Sequence, residues 1–589
     1  MNLRLMLLRS SSLGLVFYLI VACLSTWPLL KSFSTRLPIG TEPCRTVPMF
    51  NLWTLEWNVQ SFNNGTLYWS QEYWDAPIFF PANDSFAMSE AQPILGLLAP
   101  IVWMTGSTIA AYNSYIILSL ALNGWFTRKL LVGQDFPYWI STLAGGGMVL
   151  LPVAHWQLGV SQLVPIWGII WSWDVILRWL KPSKIASTSE STSTPESETT
   201  KTLLPNGTLK DAMELSGAWI ATFAMSVHHG LFAAVIYGVA IFTLVLLKLR
   251  DLKILKRAAL VHAITAVSVG LLIGPMLWRH HRVSQENCFE REASLVEQLS
   301  VWPSQYLTTY GHSISNWIVG HGWATQTGWT IGAGLLTTVI AIFGLLIGMF
   351  AKAHRHMSIV LLLVSAVSFL FSMGNHASLG NWSAWDGLVN YVPGFSQVRS
   401  AYRFIYFLQI AIVLAAAIGI HWIASGKPLW RTWTAAGLAI LCTIDPWPCS
   451  VRLGATPSSS EMQASWAETL RSQPMGGVVI LPLLDGGTVH DYEIVTEWML
   501  KGLYAEKPLV NGYSGFFPKP QLDLAKRIYQ AGLNRETVEE LNRLGVRYIV
   551  VSPFNQIRIE LDQSGLEIVE SRQDNWLILR IPPSPIPAK

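Results

Sequence analysis

The chain has 589 residues, of which 51% are hydrophobic and only 13% charged, with a mean hydropathy of +0.37; soluble domains carry roughly 25% charge. That composition excludes a water-soluble globular enzyme, and a net charge of +4 gives no reason to invoke nucleic acid. It predicts an α-helical polytopic membrane protein.

In chain order, apolar runs approaching the ~20 residues that span a bilayer are centred near residues 21, 120, 146, 171, 221, 240, 267, 340, 365, 413 and 438, about eleven in all. The first, Leu13 to Leu30, follows Arg4 and Arg9 and reaches Trp27, Pro28 and Lys31 without a small-x-small site, so it reads as a retained anchor. Cations between the runs set the orientation, because short basic loops stay inside. Arg4/Arg9, Arg128/Lys129, Lys181 to Lys210, Lys248 to Arg257, Lys352 to His356 and Lys427 to Arg431 are then cytoplasmic. Residues 31–92, about 279–328, about 375–401 and everything after Pro446 fall outside. The runs hold almost no charge; Asp174, with Arg178 one turn on as its expected partner, is the main exception. That disfavours an ion-coupled carrier.

The loop 31–92 is the richest stretch. It carries Glu42, Glu56, Glu72, Asp75, Asp84 and Glu90 with Trp53, Trp57, Trp69 and Trp74, and acids beside aromatic faces at a membrane surface suit activation of a sugar hydroxyl. Phe50 to Phe62 reads as an amphipathic helix along the interface, with Trp53 and Trp57 on one face. Glu42, in Gly40-Thr41-Glu42-Pro43, has no structural reason of its own and is the leading candidate base. Asp75, before Ala76-Pro77, is either a second candidate or a turn former. Ser89-Glu90 precedes a helix expected from near Gln92, where Glu90 would complement the helix dipole or act in the site.

Residues 183–214 are rich in Ser, Thr, Glu and Pro and read as a disordered cytoplasmic loop. Arg279-His280-His281-Arg282 lies at an outside helix end. Val392 to Phe404 enters a membrane helix from outside and would put Arg399 and Arg403 on one helical face, where paired guanidiniums either chelate a phosphate or diphosphate or snorkel to headgroups. Arg279 is a candidate for the same work. His155 and the His228-His229 pair fall near outside helix ends and are candidate substrate contacts, the adjacent pair being a poor metal chelate. After Asp445-Pro446 the composition becomes that of a soluble domain. A strand at 477–483, helices at 491–503, 521–531 and 534–544, a strand at 546–552 and a hairpin from 566–570 to 576–581, turning at Gln573-Asp574-Asn575, make an α/β unit. Cys44, Cys288 and Cys449 would all face outside, allowing one disulfide.

Asp75 to Pro81 (DAPIFFP), Ser89-Glu90, Pro393 to Arg403 (PGFSQVRSAYR), Asn511 to Pro518 (NGYSGFFP) and Leu544 to Val551 (LGVRYIVV) together resemble the polytopic GT-C glycosyltransferases. More closely, they resemble a bacterial group of membrane proteins of that architecture. The resemblance implies a GT-C-like transmembrane domain over residues 1–445 and an extracytoplasmic α/β domain over 446–589 in the bacterial plasma membrane. It implies transfer of a sugar from a polyprenyl-phosphate-linked donor to a lipid, glycan or protein acceptor among membrane lipids. Glu42, placed where that group has its essential acid, would be the base; Asp75 and Glu90 are the other candidate catalytic acids. Arg399, Arg403 and Arg279 would bind the donor phosphate, and Trp53, Trp57, Trp74, His155 and His228 would contact substrate. No metal ligand is assigned and a divalent ion is left open. The alternative is a non-catalytic membrane scaffold or glycolipid translocator with a partner-binding outward domain.

Overall fold

The computed structural model describes residues 11–181, 207–307, 309, 313–319, 331–380, 382–426, 428–484, 487–561, 565–571 and 575–582. In chain order, α1 (Ser11–Ser25) leads through β1 (Arg36–Pro38) to α2 (Thr46–Asn63), which lies within the long loop. Next come α3 (Thr108–Gly133), α4 (Tyr138–Val149), α5 (Trp167–Leu180), α6 (Thr208–Met225), α7 (Val227–Leu247), α8 (Leu252–Leu272) and α9 (Gly274–Glu286). The bundle closes with α10 (Leu335–Phe350), α11 (Arg355–Ser372), α12 (Ile405–Ala424) and α13 (Leu429–Ile444). Each expected apolar run is therefore helical, as a bilayer core without water demands of backbone N–H and C=O groups.

Six stretches, Thr108–Gly133, Ser161–Leu180, Val227–Leu247, Leu252–Leu272, Arg355–Ser372 and Ala401–Ala424, are long and apolar enough to cross a membrane; Ser12–Ser25, Pro93–Thr105, Leu335–Phe350 and Leu429–Ile444 are shorter apolar helices. The chain is an integral membrane protein. Helix α12 is its centre, buried along most of its length and touched by α4, α10, α11 and α13. Small residues allow the close approaches: Gly419 of α12 meets Gly344 of α10, and Gly145 of α4 meets Gly124 of α3.

Two expectations change within the bundle. Asp174 faces Lys129 at 3.8 Å, while Arg178 reaches Asp211 at 3.5 Å and Glu214 more closely still. Helix α6 packs on α5 and brings two acids nearer to Arg178 than its own preceding turn does. Of the stretch 183–214, residues up to 206 lie outside the described set, and from Thr208 the chain is already helix α6.

Beyond β2 (Leu453–Ala455), β3 (Gly477–Leu481), α14 (Glu493–Ala505), α15 (Lys519–Ala531), α16 (Arg535–Arg543), β4 (Val546–Val551), β5 (Glu567–Ser571) and β6 (Leu577–Arg580) form the α/β unit. Its sheet runs β3-β4-β6-β5, with β3 parallel to β4 and the rest antiparallel. Parallel β3 and β4 need a long crossover, which the three helices supply. Val479, Leu481, Ile528, Leu541, Ile549 and Leu579 build a core of their own. Gln573 and Asp574 of the hairpin turn lie outside the described residues.

This unit is bound tightly to the first loop. β1 pairs antiparallel with β2, Leu37 opposite Gly454. Phe80 N donates to Leu509 O at 2.9 Å and Leu509 N to Pro77 O at 3.1 Å, so the DAPIFFP segment runs alongside the residues leading into NGYSGFFP. Arg45 Nε meets Glu493 Oε1 at 2.5 Å. Helix α2 starts four residues earlier than expected and is largely buried beneath these contacts, not laid along an interface.

Candidate functional site

Glu42 is held by an interlock between residues 39–42 and 156–159. Thr41 N and Oγ1 both donate to Trp156 O, at 3.1 and 3.0 Å, and Asn51 Nδ2 donates to Gly159 O at 3.3 Å. Gly40 has φ +61, with Trp156 O only 2.8 Å from where a Cβ would stand, so the turn presenting Glu42 requires glycine. Gly159 is equally constrained: its Cβ would fall 2.8 Å from Ile39 C and 2.9 Å from Glu42 Cγ. The Glu42 carboxylate is half-buried and has no hydrogen-bond or ion-pair partner among the described residues. Burial pushes its pKa above the ordinary carboxylate value, against the lowering pull of Arg399 and then Arg403.

The two arginines do not share a helical face. Arg399 sits in an extended segment and Arg403 in a 3₁₀ turn, Ala401–Phe404, with the α-helix beginning only at Ile405. Both nevertheless lie in electrostatic reach of Glu42. Arg399 is exposed, whereas Arg403 is 9% exposed and its enclosed Nε lacks a hydrogen-bond partner among the described residues. A buried guanidinium in that state is costly until an acceptor arrives.

Glu90 is also within electrostatic reach of Arg403. Gln92 adopts a left-handed conformation, and the helix after it starts as a 3₁₀ turn at Pro93, so Glu90 complements no dipole there. It serves α7 instead, accepting from His228 N at 2.6 Å, from Ser226 Oγ at 3.2 Å and, closely, from the ring Nδ1 of His228. Burial would raise its carboxyl, but His228 and, more weakly, Arg403 overcome it and hold the pKa down to about 2. A carboxylate so well satisfied is a weak base and a good orienting group.

Glu90 and His228 line a cavity of about 110 Å³ together with His280, Arg291, Gln397 and Phe516. Arg291 is the residue the sequence reading missed; Phe516 lies in the Asn511 to Pro518 loop that the resemblance already singled out. Arg291 Nη2 donates to Gly515 O at 2.7 Å and Nε to Gln397 O at 3.4 Å; its guanidinium lies 3.7 Å from the Phe516 ring centroid, and Phe516 stacks on Phe289 at 4.4 Å. Desolvation, then Arg399 and Arg403, lower the Arg291 pKa to about 10. Tyr513, from the same C-terminal loop, is also in electrostatic reach of Arg399, Glu42 and Arg291, and burial raises its phenol to about 12.

The other candidates are placed elsewhere. Asp75 accepts from Gln71 Nε2 at 2.9 Å and from Asp84 N at 2.8 Å, fixing the loop's own turn. Arg279 Nη1 donates to Asp84 Oδ1 at 2.7 Å, and Arg282 closes on the other oxygen. Trp53 and Trp74 are fully buried around Phe86, and Trp57 Nε1 donates to Tyr73 O at 3.0 Å, so these rings form the loop's interior. His155 is buried, with Nε2 3.0 Å from Val149 O. Cys44 and Cys288, two of the three disulfide candidates, are free thiols. Among the described residues no group of three or more His, Cys, Asp or Glu side chains is arranged to hold a metal ion.

No family model and no curated protein matches the chain. Solved structures do. Arabinofuranosyltransferase AftD from mycobacteria aligns at TM-score 0.53 and 12% identity, over 97% of this chain and 40% of that one; a mutant of it aligns at TM-score 0.56 and 11% identity, over 96% and 41%. The oligosaccharyltransferase of Archaeoglobus fulgidus, solved with Zn and sulfate, aligns at TM-score 0.50 and 12% identity, over 92% and 68%. The chain thus spans well under half of the mycobacterial enzyme's length. At that identity the likeness is one of fold alone.

Proposed function

We propose that the protein is an integral-membrane glycosyltransferase that moves a sugar from a polyprenyl-phosphate-linked donor to a lipid, glycan or protein acceptor on the extracytoplasmic face of the bacterial plasma membrane. Residues 446–589 are the extracytoplasmic domain that covers the site. The observation that carries this reading is the juxtaposition of an unpaired carboxylate, Glu42, whose basicity burial has raised, with the buried and incompletely partnered Arg403.

In this mechanism Glu42 accepts the proton of the acceptor hydroxyl as its oxygen bonds to C1 of the sugar. The bond from C1 to the phosphate oxygen breaks and its electron pair leaves with the phosphate, while positive charge builds on C1. Arg399 and Arg403 take up the charge on the departing phosphate by guanidinium hydrogen bonds. Glu90 remains ionised and orients His228 at the wall of the cavity. The loops of the C-terminal unit keep water from competing with the acceptor.

The test is turnover of labelled polyprenyl-phosphate sugars by the full chain in nanodiscs, beside Glu42→Gln and Arg403→Ala. Turnover that both substitutions abolish in folded protein supports the assignment. Consumption of no donor on a broad panel, or variants equal to the parent, refutes it and makes the scaffold reading the better one.

A further inference from the structure

Arg399 and Arg403 both lie within electrostatic reach of Arg291. Two acids answer them, and Glu90 already accepts three N–H or O–H groups from Ser226 and His228. Arg279 and Arg282 add nothing to the balance, because Asp84 and Glu286 match them. Arg399 and Arg403 therefore face Glu42 with Arg291 beside them, so positive charge is in excess in a place where part of it is withdrawn from water. An anion with several acceptor oxygens relieves both the mutual repulsion and the missing hydrogen bonds.

Arg291 is not a loose surface cation. Gly515 O and Gln397 O hold two of its edges, and the face of Phe516 lies against its plane; these bonds use two of its five N–H donors and leave three. Phe516 is itself braced by Phe289, whose ring lies within 11° of parallel. The Gly515 to Phe516 corner belongs to the C-terminal unit and lines the same cavity as Glu90 and His228.

We propose that Arg291 binds the donor phosphate together with Arg399 and Arg403, and that Gly515 and Phe516 of the C-terminal unit position it. The donor site is then complete only when that unit is seated. This rests on the glycosyl-transfer reading above and adds to it a third phosphate ligand and a positioning residue, Phe516.

The experiment is binding of farnesyl phosphate to the full chain in phosphatidylcholine nanodiscs, with donor KM and kcat measured in parallel. Arg291→Ala is expected to weaken binding about tenfold to a hundredfold and to raise KM with kcat little changed; Arg291→Lys retains part of the affinity through its point charge. Phe516→Leu keeps the bulk but loses the aromatic face and weakens binding severalfold, whereas Phe516→Trp restores it. Parent-like binding by Arg291→Ala, with binding lost in Arg403→Ala, overturns the proposal and leaves the glycosyltransferase reading standing. Indifference to both arginines overturns the two together. Loss of farnesyl phosphate binding on moving the parent to phosphatidylglycerol discs assigns the cations to bulk headgroups and also overturns the proposal.

Discussion

Replacing Gly159 by alanine tests the interlock that presents Glu42. The added methyl would stand 2.8 Å from Ile39 C and 2.9 Å from Glu42 Cγ and would overlap the Ile39 carbonyl oxygen. Carbon contacts settle at about 3.5–4.0 Å, so the turn 39–42 must retreat by roughly 0.6–1.2 Å. Overpacking of this kind costs about 1–3 kcal/mol. A shift near 1 Å in a catalytic group can lower a rate about a hundredfold. The expected result is a tenfold to hundredfold loss in kcat for sugar transfer in nanodiscs, with farnesyl phosphate binding retained because Arg399 and Arg403 lie on a different segment. Gly238→Ala, whose added methyl would meet nothing within 4 Å, is the matched control. A folded Gly159→Ala protein with parental kcat would show that Glu42 need not sit where this turn places it, and the catalytic argument would fail.

Glu42→Gln is expected to cost about 10²–10⁴ in rate. Because a base must be ionised, parental kcat/KM should climb with pH through a value above the ordinary carboxylate pKa, and a pH profile that keeps this limb in the Gln variant would contradict the assignment. Glu90, held at about 2 when folded against an ordinary 4.5, should contribute stability that is fully present above about pH 4.5 and is lost as pH falls toward 2; unfolding followed by denaturant between pH 3 and 6 should lose part of its acid sensitivity in Glu90→Gln. Asp84→Asn leaves Arg279, 13% exposed, without its counter-charge and Arg282, 33% exposed, with only Glu286 at 3.5 Å. It should destabilise the protein by about 3–5 kcal/mol, seen as a lower midpoint in thermal melting of detergent-solubilised protein.

The helices were legible because apolar runs of membrane length leave the backbone no other way to satisfy itself. The C-terminal sheet was legible from β-branched runs such as Gly477–Leu481 and Val546–Val551, flanked by turn residues. Glu42 stood out as an acid with no local purpose, and the structure gives its carboxylate no hydrogen-bond partner among the described residues. What the sequence did not reveal are pairings across great separation. Glu90 sits at a helix N-terminus, but at one 138 residues further along the chain. Arg178 chooses Asp211 and Glu214 over Asp174. Arg291 was passed over because Cys288-Phe289-Glu290-Arg291-Glu292 carries no periodicity or motif, and its partners Gln397 and Phe516 become neighbours only in the folded chain. Trp53 and Trp57 misled for the opposite reason: a one-turn spacing fits an interfacial face and a buried one equally well.

The two-stranded ribbon that joins Arg36–Pro38 to Leu453–Ala455 bears on the order of events during synthesis. Residues 36–42, which lead into and carry Glu42, leave the ribosome soon after the first helix, yet the strand that pairs with them is made only after the last helix of the bundle. A nascent chain can insert every one of its membrane helices and still own no finished catalytic turn. On the glycosyl-transfer reading proposed above, chains that end before residue 453 are expected to be inactive in the membrane, because the ribbon beside Glu42 cannot close.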